Sequence, residues 1–168
     1  MRGFFVRFSL LLTALFVLEW LPSVQAAVVV PFTNSVATLS GWLIQLWDAR
    51  VLTQENLIWN RENGFAVSIE AGCNGVEESI ALVAAMVAYP ASWRDRLIGL
   101  AGGVLTVQVL NLLRIITLFY LGQWHQTFFE WAHLYAWQAL IMLDVLLVFL
   151  FWLHWIRPPR TQPGGAIA

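Results

Sequence analysis

The sequence has no lysine, a single cysteine, three histidines and little charge of either sign. One cysteine excludes an internal disulfide framework and a cysteine-based zinc cluster. Charged residues make up 11% of the 168 positions, against about 25% in a soluble globular domain. Nine arginines and ten acidic residues leave a net charge of −1, which excludes the basic surface a nucleic-acid binder needs. Hydrophobic residues fill 60% of the chain, and ten residues are tryptophan, a ring that favours the membrane–water interface. The chain therefore reads as an integral membrane protein in contact with the lipid bilayer, neither soluble nor disordered. It contains no repeat, low-complexity run or linker.

A membrane-crossing helix needs roughly 20 mostly apolar residues. Four stretches approach that, at about 4–21, 76–90, 97–121 and 131–156. The first also resembles a secretory signal: Arg2 and Arg7 precede an apolar run, and Val24-Gln25-Ala26 resembles a cleavage site. Anchor or signal, it directs the next segment of the chain out of the cytoplasm. Arg2, Arg7, Arg94, Arg96, Arg157 and Arg160 fall on one side of a four-crossing chain, and the positive-inside rule makes that side the cytoplasm. Both termini are then cytoplasmic, and residues 22–75 and 122–130 lie outside. The expected fold is all-α, a single membrane domain over 1–157 with a disordered cytoplasmic tail over 158–168. In the outer segment, Val36, Leu39, Leu43 and Leu46 recur at helical spacing, with Trp42 and Trp47 nearby, as in a helix lying at the interface. Phe65–Glu70 alternates like a strand, Asn63-Gly64 is a hairpin turn, and Leu57–Asn60 is the candidate partner strand.

On this topology three residues of catalytic type share one outer layer. Cys73 precedes the second span, flanked by Gly72, Asn74 and Gly75. A thiol at a helix N-terminus feels the positive end of the helix dipole, which favours the thiolate. Arg114 lies inside the third span, about 10 Å below its outer end. Asn111, one turn earlier, and Gln108 continue a polar stripe. A buried guanidinium suits a developing oxyanion. His133 opens the fourth span, with Glu130 three residues back to orient it. Glu77 and Glu78 complement the helix dipole or contact substrate, Asp144 pairs within the bundle, and His125 and His154 are interface residues. One cysteine and scattered histidines make no closed zinc site.

Cys73-Asn74-Gly75-Val76 before one span, Asn111-x-x-Arg114 inside the next and His133 opening the last resemble the exosortase/archaeosortase family. The resemblance covers about residues 65–155. The short chain, the stretch Cys73–Ser79 and the run His133-Leu134-Tyr135-x-Trp137-Gln138 look most like the compact exosortase H subgroup. The resemblance implies a membrane cysteine protease and transpeptidase in the bacterial inner membrane, its site facing the periplasm or exterior. Cys73 is then the nucleophile, Arg114 the oxyanion stabiliser and His133 the proton carrier. Asn74, Asn111, Glu77 and Glu130 support the site or contact substrate. No cofactor or metal is implied. The partners are secreted proteins with a three-part C-terminal sorting tail: a short motif of the IPTL type, a hydrophobic span and a basic end. The chain departs from larger members in having four spans at most, and Leu134–Gln138 stands where many members place a glycine. Two other classes fit the composition. One is a non-catalytic assembly or export component with Arg114 in a structural ion pair. The other is a quinone or haem redox protein, although one cysteine forbids a redox dithiol.

Overall fold

The computed structural model describes residues 2–156. The expected disordered tail, 158–168, lies outside these described residues. In chain order the elements are α1 (Arg2–Glu19), α2 (Pro22–Gln45), β1 (Val51–Gln54), β2 (Leu57–Asn60), β3 (Ala66–Ser68), α3 (Val76–Ala88), α4 (Trp93–Trp124) and α5 (Gln126–Trp155). Single π turns interrupt α2 at Gln25–Val29 and α5 at Ala132–Ala136.

Among the described helices, α2, α4 and α5 are long and apolar enough to cross a membrane. By length and composition three candidates stand where four spans were expected. The stretches at 97–121 and 131–156 lie inside α4 and α5. The stretch at 4–21 becomes α1, whose run is broken by Arg2, Arg7 and Glu19. The stretch at 76–90 becomes α3, whose 13 residues extend about 20 Å against a hydrocarbon core of about 30 Å. Residues 22–45, expected outside as a short interfacial helix, form the 24-residue α2. Its exposed side carries Leu39, Trp42 and Leu46, as an interfacial stripe would. Its inner side is made of smaller residues: Thr33, Val36, Ala37, Ser40, Gly41 and Ile44.

The small side chains on α2 admit a sheet. The strand order is β1-β2-β3, antiparallel throughout. The expected hairpin is present: Gly64 N–H donates to Asn60 O at 3.0 Å, Asn63 Oδ1 accepts from Phe65 N–H at 2.9 Å, and Leu57–Asn60 pairs with Ala66–Ser68. The third strand, β1, was not expected. It joins β2 through the two-residue turn Glu55-Asn56, with Glu55 at φ 54°. Helix α2 covers the free edge of β1, where Gln45 Nε2 donates to Val51 O at 2.9 Å.

Two cores stack along α4. The first joins Ala37 and Ile44 of α2 and Val51, Ile58 and Ile69 of the sheet region to Ile115 and Phe119 of α4. The second joins Leu82 and Met86 of α3 to Val107 of α4 and Trp152 of α5. Helix α1 lies antiparallel on α3: the Phe4 ring meets Tyr89 at 6.2 Å and Phe149 at 6.3 Å, while Glu19 feels the charge of Glu77 at the opposite end. Arg2, Arg7, Arg94 and Arg96 therefore gather at one end of the molecule. Gly99 and Gly103, one turn apart on α4, face side chains of the chain's own helices. Trp152 covers Gly99 and donates its indole N–H to Asp95 O at 3.0 Å, and Leu82 and Met86 press on Gly103.

The exposed apolar residues of α4 run from Trp93 through Leu97, Ile98, Leu105 and Val109 to Leu113. They then stop until Trp124. From Trp93 to Leu113 the rise is about 30 Å, the thickness of the hydrocarbon core. Arg114 thus lies just past this run of exposed apolar residues on α4, where the two cores meet.

Candidate active site

The loop that enters α3 is held at four consecutive residues, Gly72 to Gly75. Cys73 N–H donates to Glu70 O at 2.9 Å. Gly72 N–H donates to Glu77 Oε1 at 2.6 Å, and Gly72 O accepts from Arg114 Nη1 at 3.1 Å. Asn74, 1% exposed, donates through Nδ2 to Thr33 Oγ1 at 2.9 Å and accepts from Val76 N–H at 3.0 Å. It ties the loop to α2 and starts α3. Gly75 O accepts from Gln108 Nε2 at 2.9 Å and from Ser79 Oγ at 2.6 Å. Gly72 and Gly75 both adopt φ +79°, which a side chain disfavours. At Gly75 a Cβ would also fall 2.7 Å from Gln108 Nε2.

This loop sets Cys73 against Arg114. The guanidinium is 2% exposed, with Nη2 3.5 Å from Cys73 Sγ and Nε without a partner. No carboxylate reaches it among the described residues, where the ion pairs are those of Arg50 with Asp48 and Glu62. His133 arrives from α5. It lies in the π turn Ala132–Ala136, stacked on Phe129 with ring centroids 5.7 Å apart, and its Nδ1 is buried without a partner. A π turn inside an α-helix re-aims side chains and recurs at functional sites.

Cys73, Arg114 and His133 line one cavity of about 340 Å³. Its walls are Phe65–Ile69 on the sheet side and Gln126 and Phe129 on α5, with Ile115 and Leu118 from α4. A larger apolar cavity of about 680 Å³ lies elsewhere, between α4 and α5 around Gly102 and Trp152, with Asp144 its only acidic neighbour. It holds none of these three side chains.

The supporting residues separate. Glu77 and Asn74 fix the loop without lining the cavity. Asn111, 2% exposed with neither side-chain polar atom partnered, lies under Gly75 and borders a small cavity with Glu78 and Asp144. The expected pairing of Glu130 with His133 is corrected: Glu130 is exposed and accepts from Gln126 Nε2 at 3.1 Å. His125 packs on Phe128 outside the cavity. Sequence reasoning missed Gln126, Ser68 and the Thr33 tether. Among the described residues, no three His, Cys, Asp or Glu side chains are arranged to hold a metal ion.

The electrostatics around the thiol also differ from the dipole expectation. Burial pushes the Cys73 thiol above its ordinary range; Arg114 pulls it down, and Glu78, Glu77 and Glu70 push it up again. The acidic first turn of α3 thus counteracts the helix dipole. Thiol alkylation follows the thiolate fraction, so its rate in the isolated protein should plateau only above the usual thiol range of about 8.5. In Glu78→Gln the loss of a nearby negative charge favours the thiolate. The plateau should move to lower pH and alkylation at pH 7 should quicken; an unchanged profile would show that Glu78 does not act on the thiol.

No curated protein and no solved structure matches the chain. A family model described as transmembrane exosortase matches residues 3–152, a range that holds the loop, the buried guanidinium and the π-turn histidine alike. The chain belongs to the transmembrane exosortase family.

Proposed function

We propose that this chain is a cysteine transpeptidase of the bacterial inner membrane that removes the C-terminal sorting tails of secreted proteins. The observation that carries the reading is the meeting of Cys73, Arg114 and His133, from three distant segments, on one cavity, with Arg114 Nη2 3.5 Å from the sulfur. The absence of a carboxylate beside Arg114 among the described residues speaks against a purely structural ion pair. The arginines gathered at the far end put that end in the cytoplasm by the positive-inside rule. The cavity, at the end of the molecule away from those arginines, then faces the exterior side. There a tail of the IPTL type would present its motif while its hydrophobic span stays in the bilayer.

The chemistry uses the chain's own groups. His133 takes the proton of the Cys73 thiol. The sulfur attacks the scissile carbonyl carbon and forms the C–S bond, while the carbonyl oxygen becomes an oxyanion held by the Arg114 guanidinium. His133 returns the proton to the leaving nitrogen as the C–N bond breaks. The acyl thioester then passes to an amine or other nucleophile, or to water.

The test is co-expression with a secreted reporter that ends in an IPTL motif, a hydrophobic span and basic residues. Loss of the tail is read by electrophoresis. His133→Ala should slow tail loss about 10²- to 10⁴-fold, the usual contribution of a positioned acid–base group. Normal processing by His133→Ala would remove the histidine from the mechanism. If the chain were only an assembly component, His133→Ala would be tolerated.

A further inference from the structure

We infer that the substrate binds as a fourth strand on the open edge of β3, an inference that rests on the peptidase reading above. The register decides which groups are free. Asn60 N–H donates to Phe65 O and Ile69 N–H donates to Asn56 O, both at 2.9 Å, and Ile58 pairs with Val67 between them. In an antiparallel ladder such pairs alternate. Phe65, Val67 and Ile69 therefore turn their backbone groups toward β2, and Ala66 and Ser68 turn theirs outward. Both are exposed. Natural sheets cover or blunt their edges. Here α2 covers β1, whereas β3 is left open along the wall of the cavity that holds Cys73 and Arg114.

An extended peptide laid on this edge finds two N–H donors and two C=O acceptors, at residues about 7 Å apart. The backbone bonds supply affinity and alternate side chains supply selectivity. On one side the strand meets β3. On the other, one side chain in two turns toward Ile115, Leu118 and Phe129, an apolar patch. The ligand class is thus an extended segment with an apolar residue directed inward, its scissile carbonyl carried to the Cys73 end of the groove.

The test uses the full-length protein and the same reporter. Proline is tolerated on an edge strand where its nitrogen faces outward, so Ala66→Pro and Ser68→Pro delete one outward donor each without touching the ladder to β2. Each should lower tail processing about three- to tenfold, the worth of one backbone hydrogen bond, with Cys73 alkylated at the wild-type rate. A second readout does not depend on how the variants fold. In an N-methyl scan of a synthetic tail peptide, processing by the solubilised protein should fall at every other residue of the motif. Normal processing by both proline variants with an unaltered thiol, or a scan without alternation, overturns the strand assignment. Cys73→Ala separates this from failure of the peptidase reading. If that variant is inactive the peptidase reading stands and the strand alone falls; if it processes the reporter, both fall.

Discussion

Replacing Cys73 with alanine is expected to abolish tail removal while the protein still folds. Subtracting the nucleophile of a covalent mechanism costs about 10⁴- to 10⁶-fold, which in a cell reads as no product. The structural cost is small. Cys73 is only partly buried against the core of α2, the sheet and α4, and the loop geometry is set by its neighbours: Gly72 to Glu77 and Arg114, Asn74 to Thr33, Gly75 to Gln108. Truncating one small side chain there should cost about 1 kcal/mol. Cys73→Ser should be inactive as well, since a hydroxyl holds its proton far more tightly than a thiol and is a far weaker nucleophile beside the same histidine. A protein that served only in assembly would tolerate both. The measurement is the ratio of processed to unprocessed reporter, with membrane levels of the variant as control.

Arg114 should give the second largest effect, and it splits into two readouts. The guanidinium spends Nη1 on Gly72 O and aims Nη2 at the sulfur. A lysine, with one compact ammonium, cannot reproduce that fork. Both Arg114→Lys and Arg114→Ala should lower processing about 10²- to 10³-fold, the range for losing an oxyanion donor. Arg114→Ala should also cost about 2–4 kcal/mol of stability, because it strands a carbonyl and empties volume in a buried site. The sign of a third readout is fixed. Arg114 holds the thiol down against its burial, so removing the charge moves the alkylation plateau to still higher pH. A structural ion pair predicts the stability loss alone, with the thiol profile unmoved.

Much of the site was legible in the sequence because its chemistry is costly there. A lone arginine in an apolar run, a cysteine in the stretch Gly72–Gly75 and a histidine at the head of an apolar run stand out where few charged residues exist. The hairpin was legible from Asn63-Gly64. The rest was hidden for physical reasons. Strand β1 reads poorly because Val51–Gln54 is four residues long and its turn is Glu55-Asn56, without glycine. The π turn that aims His133 leaves no mark in a run of helix formers. Glu130 stood at the right helical spacing to reach His133, but its side chain is exposed and Gln126 takes the carboxylate instead. The spans read less sharply, because apolarity reports what touches lipid or core alike. Helix α3 is apolar but short, and α2 mixes small and polar residues that face the sheet with an exposed apolar stripe.

If Cys73 is the nucleophile, it carries the acyl group during turnover. The most direct measurement is mass spectrometry of the full-length protein isolated with its tail-bearing reporter, before and after hydroxylamine, which cleaves thioesters. A hydroxylamine-sensitive acyl adduct is expected on the peptide that contains Cys73, absent from Cys73→Ala and from chain expressed without reporter. Tail loss that proceeds with no adduct on Cys73, and at an undiminished rate in Cys73→Ala, would contradict it.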